Sequence, residues 1–213
     1  MKLKIVLASK SEVRKKLMKS LGFKFSVFLN PYKENTKRYK NETFEDVAKR
    51  LALHKANFAL KKYTNAIIIG VDSFAVIDKK ILGKPLIEDN IKIYLSNLSD
   101  RKHTFYSGIA LINTSNNMKV VSCTKTCVQF HKLTSSDIEN YIKRENVLGV
   151  AGAYKIQGLG SLFIKKITGD FYSVVGLPVN ELAVLFKKVG SNIFDYIPEN
   201  PKVSNLDIWL KNT

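Results

Sequence analysis

The chain reads as a protein of mixed helices and strands, α/β or α+β. Three observations predict this class. A short apolar run, Ile5 to Ala8, leads directly into a helix-start pattern. A longer β-branched run, Ala66 to Ile77, has the length and composition of a buried strand. Strand and helix patterns are mixed along the chain as far as about Lys188, rather than segregated into blocks of one type.

Each element follows from local chemistry. After the first strand, Ser9 with Glu12 three residues on predicts a capped helix that stops near Leu21, at Gly22. Lys24 to Leu29 alternates as a strand, and polar Asn30 to Asn41, which holds Pro31, is a loop. Thr43 opens a second helix whose apolar positions recur at Phe44, Val47, Ala48, Leu51, Ala52, Phe58 and Ala59. A turn at Asp78 to Lys80 follows the long strand, with Ile81 and Leu82 beyond it, and Glu88 to Leu98 is helical. Thr104 to Ile112 and Val120 to Phe130 are strands of a hairpin joined through residues 113–117. Ser136 to Lys143 is a helix. Ser161 to Ile167 and Phe171 to Val175 are expected as strands on either side of Thr168-Gly169-Asp170. Pro178 opens a last helix, reaching about Lys188.

Composition narrows the class further. Apolar residues make up 45%, enough for a real core. No apolar run is long enough to span a bilayer, and Met1 to Leu7 is too short and too soon followed by Lys10 and Arg14 for a signal peptide, so a cytoplasmic protein is expected. Cys123 and Cys127 fit neither a zinc knuckle nor a redox pair and read as reduced structural thiols. His54, His103 and His131 lack metal-ligand spacing and read as surface or packing residues. The formal charge of +17 raises nucleic acid as a partner. The basic residues are nevertheless dispersed, so nucleic acid is not expected, and a phosphate-rich small substrate suits the same field. A basic nucleic-acid-binding domain is the alternative; steep salt dependence and no nucleotide turnover would mark it.

Four places disobey their surroundings. At the first strand-to-helix turn, helix amides with Ser9 and Ser11 could bind an anion, and Arg14 lies in a first turn whose dipole disfavours a cation, though the local pattern alone favours an ordinary serine cap with a solvated Arg. Lys55 falls near the centre of an apolar stripe, either snorkelling or facing a phosphate or carboxylate. Asp72 interrupts an apolar strand, costly unless it is paired, hydrogen-bonded or metal-bound, and burial suits it to a general base. Leu82-Gly83-Lys84-Pro85 could bring Lys84 to a phosphate, though alone it reads more readily as a plain turn; it is not a Walker loop.

Taken in order, these pieces resemble the Maf family of nucleotide pyrophosphatases. The matching segments are Leu7 to Arg14, Leu51 to Ala56, Gly70 to Ser73, Leu82 to Pro85, Ala151 to Gly158 and Gly169 to Pro178. The resemblance covers roughly residues 4 to 188. It implies a domain over 1–188 and a C-terminal extension, 189–213, of unknown role. It implies an α/β, inosine triphosphatase-like fold, a mixed twisted sheet with flanking helices and two lobes around a deep cleft. The reaction implied is cleavage of a nucleoside triphosphate between the α- and β-phosphates, giving a monophosphate and pyrophosphate. A divalent cation, Mg²⁺ or Mn²⁺, and a homodimer come with it. Asp72 occupies the proton-acceptor position. Ser9, Arg14, Glu34, Lys55, Lys84 and Gln157 occupy positions that line the nucleotide site, with Ser11 beside them. Glu34, Asp72 and Asp170 are the candidate metal ligands.

The chain departs from the family's pattern in ways that bear on base choice. Glu12-Val13-Arg14 stands where a Pro-Arg-Arg run is usual, so Val13 replaces an Arg, and Ser73 replaces the usual Thr. Asp100 stands where Gly is common. Gln157 is retained as a base-specificity position alongside Val13 and Ser73. The general reaction is expected to survive, while base choice is open, modified nucleotides such as 7-methyl-GTP included.

Overall fold

The computed structural model describes residues 2–29 and 35–199. Its elements are β1 (Lys4–Ala8), α1 (Glu12–Ser20), β2 (Phe25–Val27), α2 (Phe44–Leu60), β3 (Ala66–Ile77), β4 (Lys80–Leu82), α3 (Glu88–Leu98), β5 (Lys102–Asn113), β6 (Met118–Phe130), α4 (Ser135–Arg144), β7 (Ile164–Thr168), α5 (Phe171–Val175) and α6 (Val179–Lys188). The described strands form one sheet in the order β2-β1-β3-β5-β6-β7, with β4 paired to β3. β1 runs parallel to both β2 and β3, whereas β3–β4 and β6–β7 are antiparallel. The expected mixed α/β architecture is the observed one.

The chain divides into two compact units. The first comprises residues 1–72, 107–123 and 176–213, and the second comprises 73–106 and 124–175. The chain therefore passes between units after Asp72, Tyr106, Cys123 and Val175.

In the first unit, α2 lies very close to the sheet. Its buried face is built largely from alanines, and Ala52, Ala56 and Ala59 share a core with Val6, Ala8, Ile68, Ala110 and Ile112. Two strand glycines permit this closeness. A Cβ at Gly70 would collide with the Ala52 carbonyl and the Ala56 amide, and one at Gly108 with the Ala48 carbonyl. The Thr43–Asp46 capping box fixes where α2 begins. α6 completes this unit through buried Leu182, Leu185 and Phe186, the last ring 6.1 Å from Phe23.

In the second unit, Phe105, Phe130, Tyr141, Tyr154 and Phe163 form an aromatic core, with several rings edge-on. Buried His103 sits among them, its Nε2 2.8 Å from the Tyr154 hydroxyl.

Three sequence expectations need correction. The cap of α1 is Ser11, not Ser9; its hydroxyl accepts from the Arg14 amide. Ser9 instead accepts from the Ser11 amide at 3.2 Å. Residues 159–163 form a 3₁₀ turn, so β7 starts only at Ile164. Phe171–Val175 is helical. The carboxylate of Asp170 accepts from the Tyr172 amide at 2.9 Å and its carbonyl accepts from the Ser173 hydroxyl at 2.7 Å. These local bonds start a helix, outweighing the β propensity of a short apolar run.

Candidate functional site

Asp72 sits on β3, two residues beyond Gly70, and so on the same face of the strand. That face meets α2, and the absence of a Gly70 side chain admits the Ala52–Ala56 turn on which Lys55 rides. Lys55 and Asp72 are both buried, and the Lys55 ammonium pairs with Asp72 Oδ1. The Lys that breaks the helix stripe and the Asp that breaks the strand thus answer one another. A buried charge of either sign is costly alone, and each is the other's partner.

Arg14 reaches the same strand from α1 and is 8% exposed. Its Nη1 donates to the Val71 carbonyl at 2.9 Å and to Ser9 Oγ at 3.2 Å, and its Nε donates to the Gly176 carbonyl at 2.7 Å. Gly176 has φ +131 and lies against the Arg14 side chain. Three protein acceptors offset the penalty of a cation in the first turn of a helix. Arg14 therefore ties α1 to β3 beside Asp72 and to the start of the last segment of this unit. Ser9, also buried, is held between the Arg14 guanidinium and the Ser11 amide. The first unit thus brings together Ser9, Ser11, Arg14, Lys55 and Asp72. Its three charged members are two cations and one carboxylate, a net positive charge suited to polyphosphate. Val13 is half-buried on α1.

Ser73, Lys84, Gln157 and Asp170 belong to the second unit. Ser73 and Gln157 are half-buried and Lys84 is exposed after β4. Asp170 caps α5 with one carboxylate oxygen, while the other is buried with no hydrogen-bond partner among the described residues. Burial raises its carboxyl above the usual range, opposed by the Tyr172 and Ser173 amides. Glu34 lies outside the described residues.

Among the described residues, no cluster of three or more His, Cys, Asp or Glu side chains could hold a metal ion. Mg²⁺ does not require one. It is commonly held by one or two carboxylates, with substrate phosphates and waters completing its shell.

The description "Maf-like protein" matches residues 4–189. The chain belongs to the Maf family. A relative from Clostridium novyi (strain NT), a dTTP/UTP pyrophosphatase by name, is 38% identical over 192 residues, which is 90% of this chain and 100% of the relative. Relatives of the same name from Clostridioides difficile (strain 630) and Thermoanaerobacter sp. (strain X514) are 37% and 39% identical, covering 97% and 96% of their own lengths and 89% and 87% of this one. A solved nucleoside-triphosphatase, a dITP/XTP pyrophosphatase from Mycobacterium abscessus, matches 62% of this chain and 77% of its own. The TM-score is 0.39 and the identity 20%. In this Maf-family chain the matched region ends at Val189, where Asn113 Nδ2 and Asn116 Nδ2 both donate to the Val189 carbonyl.

Sequence reasoning missed one residue of interest. Glu145 closes α4, just after Lys143 and Arg144, and its carboxylate accepts from Lys155 Nζ at 3.0 Å and from the Leu159 amide at 2.9 Å. A signal was present: an acid at a helix C-terminus opposes the helix dipole, so Glu145 breaks a rule just as Asp72 does.

Proposed function

We propose that the protein hydrolyses nucleoside triphosphates between the α- and β-phosphates, releasing a monophosphate and pyrophosphate, with Asp72 as general base. The observation that carries this reading is the buried Lys55–Asp72 pair beside Arg14, in a chain of the Maf family. In the proposed step, Asp72 accepts a proton from water as the water oxygen bonds to the α-phosphorus. The bond from that phosphorus to the α–β bridging oxygen breaks, and pyrophosphate leaves with the electron pair. Lys55 orients the carboxylate and keeps positive charge next to the reacting phosphates. Ser9 and Ser11 are proposed phosphate contacts, and Arg14 holds the strand that carries Asp72.

Lys84 and Gln157 are proposed substrate contacts on the strength of their motifs. Ser73 and Val13 are proposed to bear on base choice, with Gln157 contacting the base. A divalent cation, held by Asp72 with Asp170 and Glu34 as further candidates, would neutralise phosphate charge when bound. A cytoplasmic homodimer belongs to the same reading; no described helix is long and apolar enough to cross a membrane.

The relatives' names put dTTP and UTP first among substrates to test. Val13 cannot present the hydrogen-bond donors of an Arg, and a site without a polar reader discriminates less. The expected result is pyrophosphate release from dTTP and UTP with appreciable turnover of CTP, GTP or 7-methyl-GTP, and a narrower range in Val13→Arg. The measurement is kcat/KM across that panel. No pyrophosphate from any triphosphate overturns the activity. A strict dTTP/UTP preference that Val13→Arg leaves unchanged removes Val13 from base choice.

A further inference from the structure

One carboxylate bonds both ends of the segment that carries Gln157. Glu145 stands at the end of α4 with a side chain only 17% exposed, and it bonds both Lys155 and Leu159. These two residues bracket Ile156, Gln157 and Gly158. The carboxylate therefore clamps both ends of a five-residue loop. Gly158 makes the clamp possible, since a Cβ there would run into Glu145 Oε2. The Tyr141 hydroxyl, one helical turn earlier, accepts from the Lys155 amide at 3.0 Å. Within the loop, the Gly158 amide donates to the Lys155 carbonyl at 3.1 Å, and Ile156 is buried. Gln157 is left half-buried, and its side-chain amide makes no hydrogen bond among the described residues. Everything around Gln157 is tied down while its own donors and acceptor stay available.

The geometry points to Glu145 as a positioning residue for substrate selection, which holds the Gln157 amide in register for a nucleobase edge. This rests on the proposed role of Gln157 as a base contact. An amide reads a base only when its oxygen and nitrogen are fixed against the complementary groups, so a loose loop costs discrimination before it costs chemistry. Glu145→Gln keeps size and an acceptor for the Leu159 amide but loses the ionic bond to Lys155.

The test compares wild type, Glu145→Gln, Gln157→Ala and the double variant, with kcat and KM measured separately for dTTP, UTP, CTP and GTP. Glu145→Gln is expected to raise KM for the preferred triphosphate several-fold, with a much smaller change in kcat, and to flatten the ratio of kcat/KM values between bases. In the Gln157→Ala background it should add little, because both act through one amide. A merely structural role would lower the active fraction, and so apparent kcat, leaving KM and the base ratio untouched. That outcome, or full additivity in the double variant, overturns the proposal. If Gln157→Ala itself leaves the base ratio unchanged, the base-contact reading falls and Glu145's role with it. If Gln157→Ala changes the ratio and Glu145→Gln does not, Glu145 alone is excluded. Lys155→Met removes the other half of the ionic bond and serves if Glu145→Gln does not fold; it is held to the same criteria.

Discussion

Asp72→Asn shows how one buried charge serves two ends. Loss of the proposed base should lower kcat by roughly 10²–10⁴-fold. The same change strands the Lys55 ammonium in a buried site, and breaking such a pair costs on the order of 3–5 kcal/mol. Activity and stability would fall together, so the decisive comparison is with Asp72→Asn/Lys55→Met, which removes both charges. Urea unfolding should recover most of the lost stability in the double variant, while pyrophosphate release stays near background. Recovery of turnover would remove Asp72 from the base role. His103 carries a second expectation. Burial lowers its imidazole from 6.5 to about 4, so the folded protein holds it neutral. Its contribution is complete above about pH 6.5, fades as pH falls toward 4, and is lost below that, up to ~1.4 kcal/mol per pH unit. His103→Phe, which cannot titrate, should show a shallower loss of stability between pH 7 and 4.5 than wild type; parallel curves would contradict this. The sequence made Asp72 and Lys55 conspicuous because each broke the pattern of its own element. It could not show that they were partners, since the pairing depends on how closely α2 approaches β3.

That approach is a property of elements. Gly70 and Gly108 carry no side chains where the backbone of α2 passes, and alanines line the helix face above them. Gly70→Ala places a methyl group against the Ala52 carbonyl and the Ala56 amide, both backbone atoms that cannot rotate away. Overpacking of this kind costs about 1–3 kcal/mol, and lifting α2 also lengthens the reach from Lys55 to Asp72. The expected outcome is a lower Tm together with lower kcat; a normal Tm and normal kcat would show that the helix does not need this contact. Long elements were legible in sequence because their periodicity and caps agree, as in α2 with its Thr43–Asp46 box and in β3, which runs from Ala66 to Ile77 as expected. Short ones were not. In α5 the five residues Phe171–Val175 favour a strand by composition, and only the bonds around Asp170 decide for helix. Glu145 gave a local signal by its place at the end of α4, but its partners, ten and fourteen residues away, lie beyond any local pattern.

At the scale of the whole chain, the formal charge of +17 suits a polyphosphate substrate. The four passages between the two units have a further consequence, for synthesis. A chain made from its N-terminus on the ribosome usually completes one domain before the next emerges. Here that order is unavailable. The first unit begins with β1 but waits for α6, whose Phe186 packs near Phe23, and for Gly176, whose carbonyl takes the Arg14 Nε hydrogen. The second unit, residues 73–106 and 124–175, is fully translated earlier, while its neighbour still lacks its last segment. A nascent chain halted near Val175 would expose the apolar surfaces that Leu182, Leu185 and Phe186 later cover. Neither unit could be moved to another protein as one uninterrupted stretch of gene.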